Sequence, residues 1–141
     1  MILQAERIYK SYGNLQVLKG INMRINKGEI ISIVGASGAG KSTLLHILGT
    51  LDRPDSGLVN INNINVINMR SNVLAKFRNK YIGFVFQFHN LLPEFSAFEN
   101  VCLPGYIAKL NQRQVENEAH RLLDMLGLSQ RKNHKPSELS G

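Results

Sequence analysis

The stretch GASGAGKS, from Gly35 to Ser42, constrains the fold of this chain more than any other part of the sequence. It satisfies the pattern G-x-x-x-x-G-K-[ST] and lies between the apolar runs GEIISIVG (28–35) and KSTLLHILGTL (41–51). The first run is rich in β-branched residues and bounded by glycines, which predicts a strand buried on both faces. The second predicts a helix. The motif therefore predicts a glycine-rich loop that joins a buried strand to a helix.

The residue types of this loop suit the binding of phosphate groups. Its glycines let the backbone curl so that successive N–H groups point inward, and the following helix adds its positive N-terminal end. Lys41 is predicted to reach the β and γ phosphates, Ser42 to ligate Mg²⁺, and Thr43 to lie near the α-phosphate. The candidate residues are Gly35, Ala36, Ser37, Gly38, Ala39, Gly40, Lys41, Ser42 and Thr43. The sequence thus predicts a site for a nucleoside triphosphate with Mg²⁺.

Other segments of the first half read as strands and one helix. GLVNINNINV (57–66) alternates apolar and polar residues around Asn62-Asn63, which predicts a hairpin because asparagine tolerates positive φ. YIGFVFQ (81–87) predicts a second buried strand. In the helix of 41–51, the side expected to be apolar comprises Leu44, Leu45 and Leu48.

From about residue 89 the pattern becomes helical. Ser96 and Glu99 have the spacing of a capping box, and Asn111 and Gln114 repeat that spacing. The second segment ends at Gly127, where a residue with positive φ is typical of a helix end. Its apolar positions are Val115, Ala119, Leu122 and Leu126. We therefore predict a strand-rich and αβ part over 1–88 and a helical part over 89–141.

Composition narrows the class of protein and of partner. The chain carries 17 Lys and Arg against 10 Asp and Glu, a formal net charge of +7, which suits a phosphate-rich partner. No stripe of clustered Lys and Arg with interleaved aromatics occurs, so nucleic acid is not expected as the partner. Cys102 is the single cysteine, which excludes an intrachain disulfide. The longest apolar runs, such as IISIV (30–34), are too short to span a bilayer, so a soluble protein is predicted.

Tyr12 and Gln87 can each be interpreted as a functional or as a structural residue. Tyr12 could stack on a purine base or could be a half-buried strand tyrosine, and Tyr9 competes with it for the first role. Gln87 ends the second predicted strand, where its amide could reach a metal-bound water or face solvent. The four histidines lack the spacing of metal ligands and are predicted to be surface or packed residues. They are His46, His89, His120 and His134.

Taken in order, these stretches resemble the nucleotide-binding subunit of an ABC transporter. The resemblance implies an α/β fold of the P-loop NTPase type, with an antiparallel β subdomain, an incomplete RecA-like core and a helical subdomain. It implies that Gly35–Ser42 is the Walker A motif for ATP and Mg²⁺, that Tyr12 stacks on adenine, and that Gln87 senses the metal and the attacking water. The last three residues match the start of the signature motif, which binds the ATP of the opposite subunit in a head-to-tail dimer. They are Leu139, Ser140 and Gly141.

Two segments are similar to the lipoprotein-releasing ATPases of the Lol system. They are FQFHNLLPEFSAFENV (86–101) and NHKPSELSG (133–141). This resemblance implies a peripheral ATPase subunit on the cytoplasmic face of the bacterial inner membrane that energises lipoprotein release. It also implies a surface for the membrane permease, unless its residues pack inside the chain instead: Phe88, His89, Leu91, Leu92 and Phe95. Related exporters of macrolides and peptides share much of the pattern, so an ATPase subunit of such an exporter stays open.

In this family the Walker B aspartate, the catalytic glutamate and the switch histidine follow the signature motif. No residue up to Gly141 is assigned a catalytic role, so we expect hydrolysis from the intact protein and none from these 141 residues alone. A nucleotide-binding product without turnover and a soluble ABC protein of DNA repair or translation also stay open. Strands that follow the signature are implied to lie between the two predicted buried strands. We therefore expect both strands to show unpaired edges and exposed apolar faces.

Overall fold

The computed structural model describes residues 1–87 and 90–139. The chain divides into two compact units, Met1–Arg78 and Asn79–Gly141. The sequence predicted a division after residue 88, and that functional subdivision stays a prediction.

The first unit is built on a four-stranded antiparallel sheet with the order β2-β1-β3-β4. The strands are β1 (Leu3–Tyr12), β2 (Leu15–Ile25), β3 (Ser56–Ile61) and β4 (Ile64–Asn65). Tyr12 pairs with Leu15 across the β1–β2 turn, so Tyr12 lies at the end of the hairpin. The alternation of apolar residues buries one face, with Ala5, Ile8, Leu18 and Val59 inaccessible to solvent. The predicted antiparallel β part is confirmed.

The hairpin predicted at Asn62-Asn63 is also confirmed. Both asparagines have positive φ, 51° and 62°, and Ile61 pairs with Ile64 on either side of them. Two successive residues in the left-handed region form the turn whose twist matches that of the flanking strands.

Two helices belong to or begin in the first unit: α1 (Lys41–Leu48) and α2 (Ser71–Tyr81). Helix α1 was predicted, but its apolar side is Leu44, Ile47 and Leu48, and Leu45 is exposed. Positions three and four residues after Leu44 share its face, whereas the next residue is rotated by about 100°. The sequence analysis missed α2, because its polar start follows an asparagine-rich stretch. The signal for it was Leu74 and Phe77, which are buried at a helical spacing of three.

The second unit contains α3 (Ala97–Ile107) and α4 (Gln112–Met125), followed by short 3₁₀ helices at Ser129–Arg131 and Pro136–Glu138. The capping box at Ser96 and Glu99 is confirmed, and the Asn111 side chain caps α4. Gly127 has a φ of 70° and ends the last turn as predicted. Val115 and Ala119 pack with Cys102 in a small core. Leu123 completes the buried face of α4, whereas Leu126, one of the apolar positions named from the sequence, is exposed.

The two predicted buried strands are wrong for this structure. Among the described residues, neither 28–35 nor 81–87 forms a strand, and Tyr81 is the last residue of α2. Ile30 and Val34 are 97% and 87% exposed, and Val85 is fully exposed. A β-strand is stable only beside a hydrogen-bonded partner, and the described residues supply none for either segment. Large apolar side chains are exposed in both segments as expected, but the expected unpaired strand edges are absent because neither segment forms a strand.

The helices of the described ranges, 1–87 and 90–139, are all too short or too polar to cross a lipid bilayer.

Candidate functional site

The phosphate-binding candidate is a loop that ends at the first turn of α1. Gly38 and Gly40 have φ values of 78° and 84°, and Gly40 is the N-cap of the helix. A β-carbon at Gly40 would lie 2.8 Å from Cγ1 of Val17 and 2.9 Å from Cδ2 of Leu18. Glycine at this position therefore permits both the left-handed turn and the close packing of the helix start against β2.

The backbone N–H groups at the start of α1 are available to a ligand. The N–H of Leu44 donates to the carbonyl oxygen of Gly40, and no side chain caps the helix. Within residues 1–87 and 90–139, no acceptor takes up the N–H groups of Gly38, Gly40, Lys41, Ser42 and Thr43. Unsatisfied donors at a helix N-terminus attract anions through their partial positive charge.

Lys41 adds a full positive charge to these donors. Its Nζ donates to the carbonyl oxygens of Gly35, at 2.9 Å, and Ala36, at 2.7 Å, so the ammonium lies on the loop itself. The first turn of α1 contains no acidic residue. Cation, oriented N–H groups and the exposed Ser42 hydroxyl together form a donor set that fits a polyphosphate with a divalent metal.

Tyr12 is exposed and its ring is held in place. The Tyr12 hydroxyl donates to Oδ2 of Asp52 at 2.9 Å, and Nζ of Lys10 lies 5.3 Å from the ring centroid. Tyr9, the competing candidate, has its phenol packed against Gly20 of β2, where a β-carbon would lie 2.8 Å from the hydroxyl oxygen. Both tyrosines are exposed, Tyr9 by 40% and Tyr12 by 52%, and the polar network that holds the Tyr12 ring favours Tyr12 as a surface for a base.

The carboxylate of Asp52 is a hydrogen-bond partner of Tyr12 that the sequence analysis missed. Burial raises its pKa, but hydrogen bonds from Tyr12, from the Arg53 N–H and from Lys10 outweigh burial, so the pKa lies below its ordinary value. The only sequence signal was an acidic residue shortly after α1. Its partners on β1 are about 40 residues away, which no local pattern reveals.

The remaining predicted site residues lie in the second unit. Gln87 is exposed, and so are Leu91, Leu92 and Phe95, as a docking surface requires. The Asn100 side chain organises this loop: it accepts from the N–H of Leu92 and donates to the carbonyl oxygens of Leu92, Phe95 and Ser96. This role of Asn100 was not foreseen, although a polar residue early in a helix was its signal.

The other predicted site residues lie near the end of the chain or directly after Gln87. Phe88, His89, Ser140 and Gly141 lie outside the described residues. Leu139 is half-buried, and its N–H donates to the carbonyl oxygen of Pro136 at 3.2 Å. Of the histidines, His120 packs its ring on Phe98 with centroids 4.6 Å apart, which agrees with a packing role.

A family model described as ABC transporter matches residues 18–141 of the chain. The chain belongs to the ABC transporter family. The resemblance inferred from the order of the motifs is confirmed, and so is the family's fold class.

Individual relatives of this ABC transporter chain agree with that assignment. It is similar to the lipoprotein-releasing system ATP-binding protein LolD of Bacteroides fragilis, with 56% identity over 140 residues. It is also similar to the LolD protein of Cytophaga hutchinsonii, with 58% identity over 140 residues. Each comparison covers 99% of the chain, whereas the chain spans 65% and 64% of the length of these two relatives.

Solved structures place the chain in the same fold. A dimeric post-hydrolysis state of the ATP-binding cassette MJ0796 bound to ADP and Pi matches with a TM-score of 0.89 and 39% identity. That match covers 99% of this chain and 63% of the other. A second dimeric structure of MJ0796, a bacterial ABC transporter cassette, matches with a TM-score of 0.90 and also 39% identity.

Proposed function

We propose that the intact protein is the ATP-binding and ATP-hydrolysing subunit of an ABC transporter that releases lipoproteins from the bacterial inner membrane. The observation that carries the ATP part is the loop of Gly35–Ser42, with open backbone donors, the Lys41 ammonium and no carboxylate in the first turn of α1. The similarity to LolD proteins along the whole chain supports lipoprotein release.

In this proposal each part of ATP has its own contact. The N–H groups and Lys41 bind the phosphates, and Tyr12 stacks on adenine. Ser42 and Gln87 would hold Mg²⁺, which when bound neutralises charge on the β and γ phosphates. The signature residues Leu139, Ser140 and Gly141 bind the ATP of a second copy in a head-to-tail dimer. The dimeric state of the similar MJ0796 cassettes supports this assembly.

The membrane partner is a permease that docks on the loop after Gln87. Leu91, Leu92 and Phe95 are exposed there on a loop that the Asn100 side chain holds by four hydrogen bonds. Large apolar side chains on a fixed loop suit an interface with another protein. Together with Phe88 and His89 they form the coupling surface, at the cytoplasmic face of the membrane.

Nucleotide binding is tested with the intact protein and a fluorescent ATP analogue in the presence of Mg²⁺. We expect Lys41→Ala to weaken binding at least about tenfold, because a charge-assisted contact to phosphate is worth roughly 1.5–3 kcal/mol. Lys27→Ala, an exposed lysine of the same unit, is the matched control and should bind as the wild type does. Equal affinity of Lys41→Ala and wild type would refute the phosphate site.

Lipoprotein release is tested in inner-membrane vesicles that contain the intact protein. Addition of ATP should release lipoproteins into the soluble fraction, and Leu92→Asp should reduce the release while nucleotide binding persists. Leu126→Asp, which changes another exposed leucine outside the coupling surface, is the control. ATP-independent release, or full release by Leu92→Asp, would contradict the proposal.

A further inference from the structure

We infer that Asp52 and Lys10 are positioning residues that hold the ring of Tyr12 with one face open to the purine base. The inference rests on the proposed function and adds to it the groups that orient the base-binding residue. It is carried by a hydrogen-bonded network at the end of the β1–β2 hairpin.

Two side chains fix the Tyr12 ring. The phenolic hydroxyl donates to Oδ2 of Asp52 at 2.9 Å, which fixes the far edge of the ring. Nζ of Lys10 lies over the ring at 5.3 Å from its centroid and donates to the other carboxylate oxygen of Asp52 at 3.1 Å. With its edge bonded and one face covered by a cation, the ring offers only its opposite face to a flat ligand.

The network is shielded enough to hold its geometry. The Lys10 side chain is 13% exposed and that of Asp52 is 33% exposed, so solvent screens this ion pair less than a surface pair. Lys10 also donates to the carbonyl oxygen of Arg53 at 2.6 Å, and the Arg53 N–H donates to Asp52 at 2.7 Å.

Backbone contacts secure the same loop to β1. The Asp55 N–H donates to the carbonyl oxygen of Tyr9 at 2.9 Å, and the Ser11 N–H donates to Oδ2 of Asp55 at 2.6 Å. The loop from Asp52 to Asp55 is therefore fastened to the strand on both sides of Lys10. The carboxylates of Asp52 and Asp55 are thereby held beside the end of β1.

One helix links this network to the phosphate loop. The N–H groups of Leu51 and Asp52 both donate to the carbonyl oxygen of His46 in the last turn of α1, at 2.8 and 3.2 Å. The first turn of α1 carries Lys41 and Ser42. An eight-residue helix is about 12 Å long, so it fixes the spacing between Asp52 and the phosphate site. The position of Asp52, and with it that of the Tyr12 ring, is thus connected to α1, whose first turn carries Lys41 and Ser42.

Holding the ring before the ligand arrives improves affinity because no side chain has to be ordered on binding. The ordering cost of one side chain corresponds to a factor of about 3 to 10 in the dissociation constant. This factor applies to ligands that contain the base and not to the triphosphate group alone.

The test compares ATP with inorganic triphosphate on the intact protein, by displacement of a fluorescent ATP analogue in Mg²⁺. The variants are Tyr12→Phe, which keeps the ring and removes its hydroxyl, Asp52→Ala, and the double variant. Tyr9→Phe is the matched control on the same strand. We expect Tyr12→Phe and Asp52→Ala each to weaken ATP about 3- to 10-fold and to leave triphosphate within about twofold. The double variant should weaken ATP no more than Asp52→Ala does, because both changes remove the same Tyr12–Asp52 hydrogen bond.

Every remaining outcome counts against the inference. Parallel losses for ATP and triphosphate would show that Asp52 only stabilises the fold, and additive effects would show that it does not act through Tyr12. Either result overturns the inference, as does unchanged ATP affinity of Tyr12→Phe, the variant least able to disturb folding. If wild type binds ATP and Lys41→Ala does not, such a failure leaves the proposed function intact. If wild type binds neither ligand, both proposals fail.

Discussion

The Lys41 ammonium donates a hydrogen bond to Ala36 of its own loop, with 2.7 Å between Nζ and the carbonyl oxygen. Both of its acceptors, in Gly35 and Ala36, are neutral carbonyl oxygens, whereas a phosphate oxygen carries a negative charge and attracts the ammonium more strongly. Ligand binding therefore exchanges weak partners for strong ones at one side chain. The exchange requires that the loop keeps its curl, which depends on glycines with positive φ.

Gly40→Ala should remove both the curl and the packing of α1. Its β-carbon would lie 3.2 Å from the carbonyl oxygen of Val17 and closer still to two side-chain carbons, in a left-handed conformation. We expect a loss of about 2–4 kcal/mol in the free energy of unfolding and at least tenfold weaker ATP binding. Urea unfolding followed by circular dichroism and a binding titration measure the two effects.

Gly38→Ala is the matched control. Gly38 has the same sign of φ, but no atom lies within 4 Å of a β-carbon placed there. Only the conformational cost of about 1 kcal/mol should appear. Equal destabilisation by the two variants would show that contact with β2 contributes nothing at Gly40.

Thr50→Gly should stabilise the first unit. Helix α1 ends in a Schellman motif, in which the N–H of Thr50 donates to Ile47 and that of Leu51 donates to His46. Thr50 occupies the glycine position of that motif with a φ of 62°, and its buried hydroxyl has no hydrogen-bond partner among the described residues. Glycine removes the strain of the left-handed backbone and the unsatisfied hydroxyl. This gain should outweigh the loss of the buried methyl group and the greater flexibility of glycine in the unfolded chain. The gain should be about 1 kcal/mol, read from the urea midpoint.

Thr50→Val separates the two causes. Valine removes the unsatisfied hydroxyl and keeps the branched β-carbon in the left-handed conformation. It should recover only part of the gain seen with glycine. If valine stabilises as much as glycine does, backbone strain at this position is negligible. If glycine destabilises, the strain argument for Thr50 is wrong.

The capping box of α3 should make the stability of the second unit depend on pH. The N–H and hydroxyl of Ser96 donate to the Glu99 carboxylate and hold its pKa below the ordinary 4.5. Because the folded pKa is lowered, the contribution is present above the unfolded value and disappears as the pH falls through the folded value. Glu99→Gln should be less stable than wild type at neutral pH, and the difference should vanish in acid. Thermal unfolding across that range measures it.

Glu94→Gln is the control for this titration. Glu94 precedes the same helix, and its carboxylate has no hydrogen-bond partner in the part of the chain that the structure describes. Its replacement removes no hydrogen bond of α3 among the described residues and should leave the stability at neutral pH close to that of the wild type. A pH-independent difference between Glu99→Gln and wild type would mean that the charge of Glu99 has no part in the cap.

Gly105→Ala should loosen the packing of α3 on α4. A β-carbon at Gly105 would lie 2.6 Å from Cγ2 of Val115, a short branched side chain that cannot move away. The overlap should cost about 1–3 kcal/mol, more than the helix propensity that alanine adds. The double variant with Val115→Ala should recover part of the loss in a urea titration. No recovery would place the cause elsewhere than in this contact.

Local signals in the sequence were interpreted correctly wherever a few neighbouring residues decide the structure. The Asn62-Asn63 turn, the capping box at Ser96 and the end of α4 at Gly127 each depend on backbone groups within about five residues. The apolar runs at 28–35 and 81–87 were misassigned for the opposite reason. Their β-branched composition shows a capacity for pairing, but pairing requires a partner strand that a local pattern cannot supply.

By itself, the sequence determined the glycine-rich loop before α1, its lysine and hydroxyls, and the family to which the motifs belong. Only the tertiary structure decided that Asp52 accepts a hydrogen bond from Tyr12 and that position 40, packed against Val17, has no room for a side chain. Each of these contacts joins segments that are more than 20 residues apart in the chain. Such contacts follow from how the sheet and α1 pack, and packing is a property of the folded chain rather than of any stretch within it.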